Sequence, residues 1–298
     1  IERQAQRALD NEQHRLGLRV GFRPVGAAGT VRGVHAVAMR DGRIVAVLPT
    51  TAALATYTPA ELVERPQHAI LPGLVNAHTH AAMTLLRGRA ENLALAPWLQ
   101  DAIAPIERRW VDPEYVRDGT ELAIAEMQRG GVTCFADMQL WPDVVARAAA
   151  DAHMRVSVGL VVEQAASRWA ADPNEYIEKG MALRDDYRGD ALVATHFALE
   201  PSHALDDATL ARVRRLADEL EIPVALPVHE SAWEVSESIA RHGARPLDRL
   251  ARLGFASPLL VAVHGTQLSP ADVEALAACG AAVVHCPESN LKLGSGVC

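Results

Sequence analysis

The chain has 298 residues, 49% hydrophobic and 22% charged, and its 37 acidic against 29 basic side chains give a formal net charge of −8. That is the composition of an ordinary globular chain; it excludes the basic footprint of a nucleic-acid binder and argues against an anionic membrane surface as partner. The longest apolar stretches, such as 68–77 and 259–263, are too short to span a bilayer, and Cys134, Cys279, Cys286 and Cys298 form no C-x-x-C pair, as expected of reduced thiols in the cytoplasm.

In chain order, residues 1–16 are rich in Arg, Gln and Glu, do not read as a secretory signal, and are expected to be disordered or atypical. Residues 17–64 are β-leaning, and Asp41-Gly42 between two apolar runs predicts a hairpin within a small antiparallel sheet. After Pro66 come short apolar runs at 69–78, 132–137, 156–162, 192–199, 224–229, 260–264 and 282–285, separated by amphipathic stretches. Near-continuous apolar strands alternating with helices predict a parallel sheet covered by helices. Asp112-Pro113-Glu114 places a cap and an N1 proline before a helix over 116–127 that Gly130-Gly131 ends. Asp207 precedes a helix with Leu210, Val213, Leu216 and Leu220 on one stripe, and Ser269-Pro270-Ala271-Asp272 resembles a capping box whose helix stops at Gly280. Seven strand–helix units in one direction suit an α/β fold of the TIM-type (β/α)8 barrel, with the chain stopping before an eighth strand.

Several strand runs end in, or just reach, a histidine: His78, His229, His264 and His285, with His80 two residues past the first. In a barrel the C-terminal strand ends share one mouth, so these imidazoles would converge, and convergent imidazoles suit a metal such as zinc. In extended chain, His78 and His80 point to the same side and can reach one ion. On residue chemistry alone, Glu230 also reads as a cap or a solvated carboxylate, Trp98 as core packing and His264 as a backbone-bonded histidine.

Four motifs are familiar: Leu71-Pro72-Gly73-Leu74-Val75-Asn76-Ala77-His78-Thr79-His80; Gly130-Gly131-Val132-Thr133-Cys134-Phe135-Ala136-Asp137-Met138; Ala262-Val263-His264-Gly265-Thr266-Gln267-Leu268; and Val284-His285-Cys286-Pro287-Glu288-Ser289-Asn290. Together they resemble the amidohydrolase superfamily, in its 5′-methylthioadenosine/S-adenosylhomocysteine deaminase branch, close to the triazine chlorohydrolases. The resemblance implies a barrel over 69–298, with 17–68 contributing part of a small β-sandwich. It implies one divalent metal ion, zinc ahead of iron, and hydrolytic deamination of a small-molecule substrate by a metal-activated water. By motif position, His78 and His80 would be metal ligands, Glu230 the proton shuttle and His264 the residue orienting the water. Trp98 and Glu107 would contact the nucleoside base and ribose. A homo-oligomer is the family's habit.

This sequence departs from that pattern in three places. Pro227 stands where the family has a third metal histidine; His229, two residues on and about 7 Å further along an extended strand, is the candidate replacement. Glu200 stands at the position of a histidine that contacts the purine, and the family's last ligand, an aspartate ending strand eight, has no counterpart before Cys298. The readings therefore run from a nucleoside deaminase, through a deaminase or chlorohydrolase of another heterocycle such as guanine or an s-triazine, to a fragment or pseudoenzyme that keeps the fold without turnover.

Overall fold

A computed structural model describes residues 17–24, 35–90 and 92–298. The chain divides into two compact units at Gly73/Leu74; the expectation for residues 1–16 lies outside the described residues.

Among the described residues the first unit is one five-stranded sheet in the order β3-β2-β1-β4, with β1 Gly17–Pro24, β2 His35–Arg40, β3 Arg43–Pro49 and β4 Glu61–Glu64; β5 Ala69–Ile70 pairs with β1 off that path. The β2–β3 hairpin turns at Asp41 (φ 53°) and Gly42 (φ 70°), the two left-handed residues that a tight primed turn needs. Ala36, Ala38 and Ala53 form its small core. The expected antiparallel order holds for β1–β2 and β2–β3, but β4 and β5 run parallel to β1.

The second unit is a seven-stranded, wholly parallel sheet in sequential order: β6 Leu74–Thr79, β7 Val132–Asp137, β8 Arg155–Val162, β9 Val193–Leu199, β10 Val224–Val228, β11 Leu260–His264 and β12 Ala282–Val284. Flat, β6 and β11 would stand about 24 Å apart, at roughly 4.8 Å per strand. Yet the rings of His78 on β6 and His264 on β11 have centroids 5.6 Å apart. The sheet is therefore rolled into a nearly closed barrel, the arrangement expected of a TIM-type fold through its seventh strand.

The helices begin where the chain supplies caps. Asp112 accepts the Tyr115 N–H at 3.0 Å ahead of helix Pro113–Arg129, and Ser269 and Asp272 form a reciprocal capping box at helix Pro270–Cys279, which ends at left-handed Gly280. Helix Asp207–Leu220 is capped by Asp206, one residue earlier than the sequence reading placed it. Helix Pro113–Arg129 buries Val116, Ala123 and Ile124 and brings Gly119 so close to the 3-10 turn Ala81–Leu86 that a Cβ there would lie 2.4 Å from the Ala82 carbonyl oxygen. Two strand boundaries differ from expectation. The run 69–78 is cut at Leu71-Pro72-Gly73 into β5 and β6, and β10 stops at Val228 because His229 turns left-handed (φ 56°). Among the described residues no helix is long and apolar enough to cross a membrane.

Candidate active site

A parallel sheet delivers all its strand ends to one edge, and here those ends enclose a cavity of about 600 Å³. His78 is the last residue but one of β6, while Glu163, Glu200, Glu230 and Cys286 follow β8, β9, β10 and β12; with His264 at the end of β11, all of them line this cavity.

The imidazoles gather on one side. His78 and His80 stand edge to face with ring centroids 5.2 Å apart, and His264 lies 5.6 Å from His78. Burial is the main cause holding the pKa of His78 well below its ordinary value, and the neighbouring His80, His264 and His196 lower it further. His80 is exposed along the rim; the atoms packed round the rest of its ring lower its pKa, against a bond to the Met138 backbone. His264 is pushed down by burial, against a 2.9 Å bond between its Nδ1 and Asn290 Oδ1. All three rings are therefore neutral at pH 7 and carry nitrogen lone pairs. Asp137, ending β7, secures the pair from behind: its Oδ1 accepts the Ala81 N–H at 2.7 Å, and burial lifts its pKa to about 7.

Beside His264 is Glu230, 7% exposed, with Oε1 at 3.5 Å from His264 Nε2. Burial lifts its pKa to about 8, and the carboxyl of Glu234 adds to the effect. Glu234, in the first turn of helix Ala232–His242, holds the loop that aims Glu230: its two oxygens accept the N–H groups of His229 at 3.3 Å and Glu230 at 2.5 Å.

That loop corrects the expectation for His229. Its left-handed backbone turns the ring out of the cavity into the protein, fully buried, where Nε2 accepts the Leu247 N–H at 3.2 Å. With that nitrogen unprotonated, the bond network assigns the proton to Nδ1, which donates to the Gln267 carbonyl at 3.2 Å. Both nitrogens are engaged, and His229 does not line the cavity. The extended geometry that would have aimed it at His78 and His80 ends one residue too soon.

The other expected residues do line it. Trp98 begins a π-helical turn, Trp98–Ile103, and its indole N–H is buried with no partner among the described residues. Glu107 and Glu200 are both held above the usual carboxylate range by burial, while Arg108 pulls Glu107 down and the Gln164 N–H, 2.9 Å from Glu200 Oε2, pulls Glu200 down. They are joined by Glu163, which no sequence motif singles out; burial and Glu200 lift its pKa to about 7 and its carboxylate accepts the Tyr176 hydroxyl at 2.9 Å. A carboxylate just past a strand end was the available signal for Glu163. Glu234 had none, because its role depends on where the helix returns. His196 stays below the mouth, bonded to Ser157 at 2.9 Å, and burial lowers its pKa to about 4.

Neutral imidazoles are donors that zinc accepts, but of the three here only His78 and His80 come from one strand end, and the Nε2 of His264 is taken up beside Glu230, 3.5 Å away. The residue that β10 contributes to the cavity is Pro227, which has no donor atom, and His229 is turned away. Among the described residues, no group of three or more His, Cys, Asp or Glu is arranged to hold a metal ion. These residues do not fit a metal centre.

Residues 69–298 match the amidohydrolase family. A protein of Saccharophagus degradans named 5-methylthioadenosine/S-adenosylhomocysteine deaminase is 43% identical over 275 residues, 92% of this chain and 62% of that one. Among solved structures, an adenosine deaminase from Xanthomonas campestris with bound zinc shares 47% identity at a TM-score of 0.92, covering 94% of this chain and 64% of its own. A triazine hydrolase shares the fold alone, at 17% identity and a TM-score of 0.86 over 95% of this chain and 68% of its own. The chain thus spans 62% of the S. degradans protein and 64% of the X. campestris chain. Because the family match takes in every strand of the rolled sheet, together with the histidine pair and Glu230, this chain belongs to the amidohydrolase family.

Proposed function

We propose that the cavity binds an adenine nucleoside, such as 5′-methylthioadenosine or S-adenosylhomocysteine, and that its chemistry is hydrolytic deamination. The observation that carries this reading is Glu230: a buried carboxyl with its pKa near 8, beside His264, in a cavity that also presents Trp98 and Glu107. In the overall reaction, water adds hydroxyl to the amine-bearing ring carbon and a proton to the adjacent ring nitrogen; the carbon–nitrogen bond then breaks and ammonia leaves. Burial favours the acid form of Glu230: it gives its proton to the ring nitrogen, as carboxylate takes one proton from the attacking water and passes it to the departing amine, and recovers the remaining hydroxyl proton as the carbonyl forms, which restores the acid. His264 donates from Nδ1 to Asn290, so its Nε2 lone pair faces Glu230 and steadies the acid form. Trp98 offers a flat apolar face to the base, and Glu107 accepts from the ribose hydroxyls.

Calorimetric titration of the chain with 5′-methylthioadenosine tests this reading. Saturable binding that weakens in Trp98→Ala and Glu107→Gln is expected. No binding, or tighter binding of guanine or a chloro-s-triazine, would sink it. Pro227 favours a second reading, in which the nucleoside is held without being turned over; ammonia release by the wild-type chain separates the two.

A further inference from the structure

Strand β10 is paired unequally on its two sides. With β11 it keeps register over its whole length, from Val224↔Leu260 to Val228↔His264. With β9 it pairs only at Val224↔Phe197 and Ala225↔Ala198, although β9 continues to Leu199. The hydrogen bonds explain why. Val224 N–H donates to the Leu259 carbonyl and the Val228 carbonyl accepts from Gly265, so even-numbered residues of β10 face β11. The Pro223 carbonyl accepts from Phe197, so odd-numbered ones face β9. Pro227 is the odd position at the mouth, and it has no N–H to give. The same residue lines the cavity with His78, His80, Glu230 and His264. One side chain therefore both opens the β9–β10 seam and puts a ring without a donor atom into the cavity that holds the imidazole pair.

We infer that position 227 decides whether this cavity takes a cation: with Pro227 the chain holds no stoichiometric metal through His78 and His80, and a histidine at that position alone completes a three-imidazole site. The inference rests on the nucleoside reading and deepens it, since it leaves the organic part of the cavity intact and assigns the missing metal donor to one residue.

The test is equilibrium dialysis of the full chain against zinc chloride followed by elemental analysis, for wild type, His78→Ala, Pro227→Ala, Pro227→His and the Pro227→His/His78→Ala double variant. Wild type and Pro227→Ala should retain less than about 0.1 equivalent, and Pro227→His about one equivalent, lost again in the double variant. Stoichiometric zinc in the wild type that His78→Ala removes would overturn the inference. So would a Pro227→His chain that folds by circular dichroism and gains no zinc. If Pro227→His does not fold, the wild-type and His78→Ala pair still decides: equally low zinc in both supports the inference. Titration of wild type with 5′-methylthioadenosine runs alongside; absence of nucleoside binding would fell the proposed function and leave the metal result standing.

Discussion

Glu230 is useful only if its carboxyl points into the cavity, and the residue that ensures this is Glu234, 1% exposed and bonded to two consecutive backbone N–H groups. Glu234→Gln keeps one acceptor where two are needed, so a buried N–H loses its partner. The expected cost is about 1–3 kcal/mol, read from the denaturant midpoint, together with weaker 5′-methylthioadenosine binding. His229 provides a complementary test. Since its ring is committed to Leu247 and Gln267, His229→Asn should destabilise the chain by a similar amount, about 1–3 kcal/mol, and leave the zinc content of Pro227→His unchanged. A drop in zinc would restore His229 as a ligand. The residue types at both positions were plain in the sequence. Their directions were not, because one left-handed φ at His229 separates the extended reading from the real one.

At the level of elements, the histidine pair depends on packing behind it. The 3-10 turn Ala81–Leu86 follows His80 directly and lies against helix Pro113–Arg129 through Gly119. Gly119→Ala would force the two apart, at a cost of about 1–3 kcal/mol. Because the displaced turn carries His80 with it, nucleoside affinity should fall as well as the denaturation midpoint. Unchanged affinity would show that the turn and the pair are uncoupled. Ser269→Ala is the matching control: it removes the capping box of helix Pro270–Cys279 for about 1 kcal/mol of stability, without touching the cavity. Most caps and stops were legible, because Asp112, Ser269 and Gly280 act within a few residues of themselves. The π-helical turn carrying Trp98 has no periodicity in the sequence to announce it, and the cut within the apolar run 69–78 falls at Pro72, which has no N–H to give a strand ladder.

For the whole molecule, the buried titratable groups set opposing pH dependences. Glu230 and Glu234 have pKa values raised to about 8 and about 7, so their contribution to stability is complete below the unfolded value and is lost as pH rises through the folded ones. His196, lowered to about 4, acts the other way: its contribution is present above the unfolded value and is lost as pH falls towards 4. Above pH 6.5, then, the carboxyls dominate. Unfolding free energy should fall between about pH 6.5 and 8.5, by up to ~1.4 kcal/mol per unit for each such group, and Glu234→Gln should flatten the slope. A flat or rising profile in the wild type would show these carboxyls to be ionised in the folded chain. The sequence by itself determined the seven parallel strands, the family and the identities of His78, His80, Glu230 and His264, because strand period, caps and motif spacing are local properties. Only the tertiary structure decided that Glu163 joins the cavity, that Glu234 holds the Glu230 loop, and that Pro227 lines the cavity while His229 does not. Those outcomes depend on how the sheet rolls and on a single backbone turn, and both are set by contacts between residues far apart in the chain.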